Sequence, residues 1–123
     1  MNCLSIDFGT KNIGLAISIQ GIIEPIPMLK NDDHFFDNLQ KVIDQYRIEK
    51  IFVGISEGKI AELTKKFVVK LKNMLILPIE TVEESVSTIE ANQIFLENNK
   101  KSKDYKKLID SISAAVILRR VIN

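Results

Sequence analysis

The sequence predicts an α/β fold in which a mixed sheet is covered by helices on both faces. Two observations lead there. The opening segment alternates apolar with small or polar residues in stretches joined by short turns. Beyond residue 34 the apolar residues recur at helical spacing instead, and compact apolar runs separate the helical stretches. A meander followed by alternating strands and helices gives this layered arrangement.

Cys3-Leu4-Ser5-Ile6-Asp7 alternates as a strand does, and Phe8-Gly9-Thr10-Lys11-Asn12 interrupts it with turn residues. Ile13 to Ile19 alternates strictly: its large residues share one face, and Gly14, Ala16 and Ser18 share the other. After the Gln20-Gly21 turn, Ile22 to Ile26 reads as a third strand. Pro25 and Pro27 suggest that it lies at an edge and stops early. Three strands with such short links form an antiparallel meander.

Phe35, Leu39, Val42 and Tyr46 then mark one face of a helix, with Asp32 or Asp33 as its expected cap. Lys50 to Ile55 suits a strand buried on both faces. Ile60, Leu63, Phe67 and Leu71 mark a second helix after Gly58, and Leu75 to Val82 a fifth strand. Thr88, Ala91, Ile94 and Phe95 suggest a third helix, with Ser85 or Ser87 available as its cap. A lysine-rich link leads to a last helix from about Lys106 to Val121. The order is βββαβαβαα.

At 123 residues the chain fits one domain, 1–123, with no interdomain linker or repeat. Such a domain buries roughly two thirds of its unfolded surface and needs no disulfide or metal staple. The single cysteine, Cys3, excludes an intramolecular disulfide framework, agrees with a reducing cytosol, and reads as a small core residue. No apolar run approaches a membrane span, and Met1 to Gly9 lacks the pattern of a signal peptide. A cytoplasmic protein without membrane contact is expected. With a net charge of +1, bulk charge announces no nucleic-acid partner. Lysines at 65, 66, 70 and 72, lysines from 100 to 107, and Arg119 with Arg120 form local basic groups, which on charge alone read as solvated helix faces.

Asp7 needs a reason, because it ends an apolar strand beside a glycine turn, where a carboxylate must be paired, hydrogen-bonded or bound to a cation. By alternation it shares a face with Ser5 and Cys3. If register sets Gly14, Ala16 and Ser18 beside them, that face is low and admits another element closely. The last helix suits this role, because Ser111, Ser113, Ala114 and Ala115 give it little bulk. Asp110 begins that small-residue segment, and Glu84 follows the fifth strand, so the three acids converge if the first and fifth strands end near each other. Hard oxygen ligands suit Mg²⁺ or Mn²⁺ rather than zinc. Taken singly, Asp7 also reads as a turn residue, Glu84 as a helix N-terminal charge and Asp110 as a solvated acid. Periodicity does not choose among these.

Asp7-Phe8-Gly9-Thr10-Lys11-Asn12-Ile13-Gly14-Leu15-Ala16-Ile17-Ser18 resembles the opening signature of the YqgF/RuvX family of Holliday junction resolvases and pre-16S ribosomal RNA nucleases. Val53-Gly54 with the helix from Lys59, the stretch from Pro78 to Ala91, and Asp110 to Leu118 resemble its further motifs in colinear order. The resemblance implies a ribonuclease H-like fold with sheet order 3-2-1-4-5 and a Mg²⁺- or Mn²⁺-dependent nuclease. It implies a role in 5′-end processing of pre-16S rRNA, with branched DNA as the alternative substrate. Asp7, Glu84 and Asp110 match the acidic triad, taken as catalytic and metal-binding residues. Lys11 matches the signature cation, expected to contact phosphate, and Ser87 and Thr88 match a hydroxyl pair expected to shape a helix start.

The chain departs from the family at three places. Glu83 stands for the usual Asp, which offers two adjacent acids, Glu83 and Glu84, for one ligand position. Ser85 stands for the usual Arg, and the loop after Gly54 is shortened to Ile55-Ser56-Glu57-Gly58-Lys59. Two other readings compete. Asp-x-Gly-Thr also opens the phosphate loop of actin-like ATPases, which need two such domains, and a non-catalytic RNA-binding module in ribosome assembly would keep the same fold. No apolar surface stripe predicts a strong dimer, so a monomer or weak dimer is expected.

Overall fold

The computed structural model describes residues 1–55, 58–83 and 102–122, with 102–110 described in backbone only. Its elements run β1 (Cys3–Asp7), β2 (Asn12–Ile19), β3 (Ile22–Lys30), α1 (Phe35–Tyr46), β4 (Lys50–Ile55), α2 (Lys59–Met74), β5 (Ile79–Glu83) and α3 (Ser102–Ile122). The strands form one five-stranded sheet ordered β3-β2-β1-β4-β5. The first three pair antiparallel, as their short turns require, whereas β4 and β5 each join through a crossover and pair parallel.

Alternation sorts the side chains into two cores. Leu4 and Ile6 of β1, Ile13, Leu15 and Ile17 of β2, and Ile51 and Val53 of β4 meet Phe35, Leu39 and Ile43 of α1 and Phe67, Val68 and Leu71 of α2. On the other face, Cys3, Ala16 and Phe52 meet Ala114 to Leu118 of α3. Helices therefore cover both faces, as the sequence pattern requires.

Several boundaries differ from expectation. β3 is an edge strand but does not stop early: it continues to Lys30 across a register shift, with Ile13 opposite Leu29 and Leu15 opposite Ile26. Pro27 and Met28 together stand opposite Gly14 there, and such an irregularity accommodates a proline that has no ladder N–H to give. The α1 N-cap is His34 and makes no side-chain cap bond. Asp32 instead shapes the turn before it, accepting from the His34 N–H through Oδ1 at 2.9 Å and from the Phe35 N–H through its carbonyl at 3.1 Å. In α2, Leu63 is exposed and Val68 is buried in its place. β5 begins only at Ile79, after Pro78, and α3 begins earlier than expected, at Ser102. The helix expected around Thr88 to Phe95 lies outside the described residues.

Candidate functional site

Asp7 closes β1, the middle strand of the sheet, and is half-buried. It pairs with Gly14 of β2 on one side and Gly54 of β4 on the other. Both lateral neighbours in its row thus lack a side chain. The same register sets Ser5 opposite Ala16 and Cys3 opposite Ser18, the low face that alternation anticipates. Gly54 is in turn level with Val82 of β5. Asp7, Gly54 and Val82 form one row, spanning roughly 10 Å between its outer Cα atoms at ordinary strand spacing.

That row settles where Glu83 lies. Val82 packs against the α3 cluster, so Glu83, paired with Ile55, falls on the opposite face of the sheet from Asp7. Glu83 is exposed there. Glu84 is the next residue in sequence and, with Ser85, Ser87 and Thr88, lies outside the described residues.

The helix that carries Asp110 is fixed to this face at three points. The Leu15 amide, beside the register shift, donates to Ser111 Oγ at 3.1 Å. Ser5 Oγ donates to the Ala114 carbonyl in a buried hydrogen bond. Ile117 fills the space over Gly54, where a Cβ would lie 2.3 Å from Ile117 Cδ1. Ser111 thus meets β2, Ala114 meets β1 and Ile117 meets β4, and the helix also lies against β3. Val116, Ile117 and Leu118 are all buried. At about 1.5–3 kcal/mol each, their burial drives the docking. The two hydroxyl bonds add only about 1 kcal/mol each, but they are directional and set the register. Asp110 immediately precedes Ser111 in α3, so its backbone lies one residue before the helix position that meets the Leu15 amide.

The connection after Asp7 is also braced. Gly9 has no room for a side chain, because a Cβ would lie 2.2 Å from the Asn12 carbonyl oxygen. Its own carbonyl accepts from Asn31 Nδ2 at 3.0 Å, and the Lys11 carbonyl accepts from the Asn31 N–H at 2.9 Å. Phe8 packs on Phe67 of α2 with ring centroids 4.8 Å apart. Lys11 is exposed in this connection, four residues from Asp7. Asn31 and Ser111 were not singled out by the sequence for their contacts, since each acts across 20 or more residues of chain.

Among the described residues no group of three or more His, Cys, Asp or Glu side chains gathers as a metal site. Of Asp7, Glu84 and Asp110, only Asp7 has a described side chain. Among the described residues, no helix is long and apolar enough to cross a membrane.

A family model described as "RuvX: Holliday junction resolvase" matches residues 1–123. The chain belongs to the RuvX family. Curated relatives named "Putative pre-16S rRNA nuclease" include one from Halothermothrix orenii, 30% identical over 100% of this chain and 95% of its own. Another, from a Sulfurihydrogenibium species, is 35% identical over 98% of this chain and 88% of its own. Among solved structures, the fowlpox virus Holliday junction resolvase superimposes with a TM-score of 0.65 at 15% identity, covering 99% of this chain and 97% of that one. RuvC from T. thermophilus, solved with a Holliday junction substrate, gives 0.56 at 11% identity, covering 98% and 96%. At these identities the likeness is one of fold. Together with the sheet order, it makes this RuvX chain a ribonuclease H-like α/β protein, and its family is one of nucleases.

Proposed function

We propose that this RuvX protein is a metal-dependent nuclease that hydrolyses phosphodiester bonds in the 5′-end processing of pre-16S rRNA. The observation that carries the reading is the seat of Asp7: a half-buried carboxylate ending the central strand, with a glycine on each side. Asp7, Glu84 and Asp110 would hold Mg²⁺ or Mn²⁺. The donor set fits a hard cation, because all three are carboxylates and the soft donor nearest in the strand, Cys3, is buried in the core. His34 stands exposed at the start of α1, away from this face of the sheet.

When bound, such a cation supplies positive charge to the phosphate and makes a water nucleophilic near neutral pH. The protein's part is positional. The β1 ladder holds the Asp7 carboxylate at a fixed place, and Lys11, exposed on the following connection, meets a phosphate of the bound strand. Cleavage leaves a 3′-hydroxyl and a 5′-phosphate.

The relatives' names support the RNA substrate, and the family description supports branched DNA as the alternative. Purified protein is incubated with a ribosomal precursor RNA and with a synthetic four-way junction, with and without Mg²⁺, beside the Asp7→Asn variant. Magnesium-dependent RNA cleavage that Asp7→Asn lacks supports the reading. Symmetric junction cutting with untouched RNA moves the substrate to DNA. Full activity in Asp7→Asn overturns the site.

A further inference from the structure

We infer that Ser5 and Ser111 are positioning residues for the metal-holding acids, acting by locking the α3 position of Asp110 against the strand that faces Asp7. The inference rests on the site reading above and adds to it the groups that set its dimensions.

Both serines are completely buried, and each hydroxyl makes a hydrogen bond across the interface between sheet and helix. Ser111 Oγ accepts the Leu15 amide, beside the register shift in the β2–β3 ladder. Ser5 reaches from β1 to the Ala114 carbonyl, one turn further along. Two bonds to adjacent strands from adjacent turns fix both the rotation and the axial slide of α3. Apolar contact alone tolerates small slides, because burial is non-directional. The segment held in this way is the one that begins with Asp110. Ligand carboxylates around a small divalent cation must be placed closely, since near-ideal geometry is demanded at short bond lengths.

The test measures Mn²⁺ binding by calorimetry and by electron paramagnetic resonance, independently of cleavage, for the full chain and four variants. Ser111→Ala and Ser5→Ala remove one bond each. Val68→Ala destabilises the opposite core without touching α3. Asp7→Asn marks binding at the site. The expected result is a fivefold or greater loss of Mn²⁺ affinity in Ser111→Ala and Ser5→Ala, with unchanged affinity in Val68→Ala. Faster amide exchange at Leu15 in Ser111→Ala confirms that the intended bond was removed. Wild-type affinity in both serine variants overturns the inference, as does an equal loss in Val68→Ala. Both of those results leave the acidic site standing if Asp7→Asn still abolishes binding. Conversely, Mn²⁺ binding that follows the serines in a protein that cleaves neither RNA nor junction sinks the nuclease reading and keeps the inference. A wild-type chain that binds no Mn²⁺ overturns both.

Discussion

Gly54 lies directly beneath Ile117: a Cβ at position 54 would come within 2.3 Å of Ile117 Cδ1 and 3.1 Å of its Cγ1. Ile117 is itself 1% exposed, so its end has no free volume into which to swing. Glycine at 54 therefore sets how closely α3 approaches the row that contains Asp7. Gly54→Ala should destabilise the fold by about 1–3 kcal/mol through overpacking. Ile117→Val removes Cδ1 and should restore part of that loss. A double-mutant cycle by urea denaturation measures the coupling. Simple additivity of the two changes would show that the contact is not the cause.

Gly9 carries a different constraint. Its φ does not lie in the left-handed region, so the requirement comes from contact with the rigid Asn12 carbonyl at the start of β2. Gly9→Ala must displace the connection that links Asp7 to β2. The expected outcome is a loss of stability of about 1–3 kcal/mol, together with cleavage reduced beyond what the unfolded fraction explains. Asn31→Ala, which removes the bond to the Gly9 carbonyl, should show a weaker version of both effects. Activity per folded molecule equal to wild type in Gly9→Ala would separate this turn from the site.

Metal removal separates folding from chemistry. Both cores are apolar and continuous among the described residues, one of them joining β1, β2 and β4 to α1 and α2. Such burial needs no ion to hold it. Treatment with EDTA should therefore abolish cleavage while the thermal midpoint in EDTA stays within a few degrees of the untreated protein. Cooperative unfolding on chelation would mean that the acids are a structural site instead.

Much of this arrangement is legible in the chain itself. Strict alternation from Ile13 to Ile19 gives β2 and its low face, and the small residues of α3 identify the helix that covers it. The sheet order rests on the resemblance of separated motifs, since alternation alone does not say which strands are neighbours. Boundaries were less legible where proline is concerned. Pro25 and Pro27 suggested an early stop for β3, but an edge strand tolerates one proline and the register shift absorbs the other. Asp32 has the right chemistry for a cap yet serves the turn before the helix, a choice made by backbone geometry. The face occupied by Glu83 follows only from the parallel register of β4 with β5, which no local pattern encodes.

Cys3 offers a prediction from titration. Burial in the α3 core raises its thiol above the ordinary value of 9.0, against smaller lowering effects from the N-terminal amine and Lys50. The folded state thus favours the neutral thiol more strongly than the unfolded chain does. Its stabilising contribution is complete below the unfolded value and is lost as pH rises through the folded one. Two outcomes are expected. The native thiol should resist an aromatic disulfide reagent at pH 8 and react promptly once urea unfolds the chain. Stability should also fall from about pH 9 upward in the wild type, more steeply than in Cys3→Ala, whose curves start lower because a buried side chain has been trimmed. Denaturant titrations of both proteins across that range supply the comparison. Parallel curves would mean that the thiol does not govern the alkaline limb.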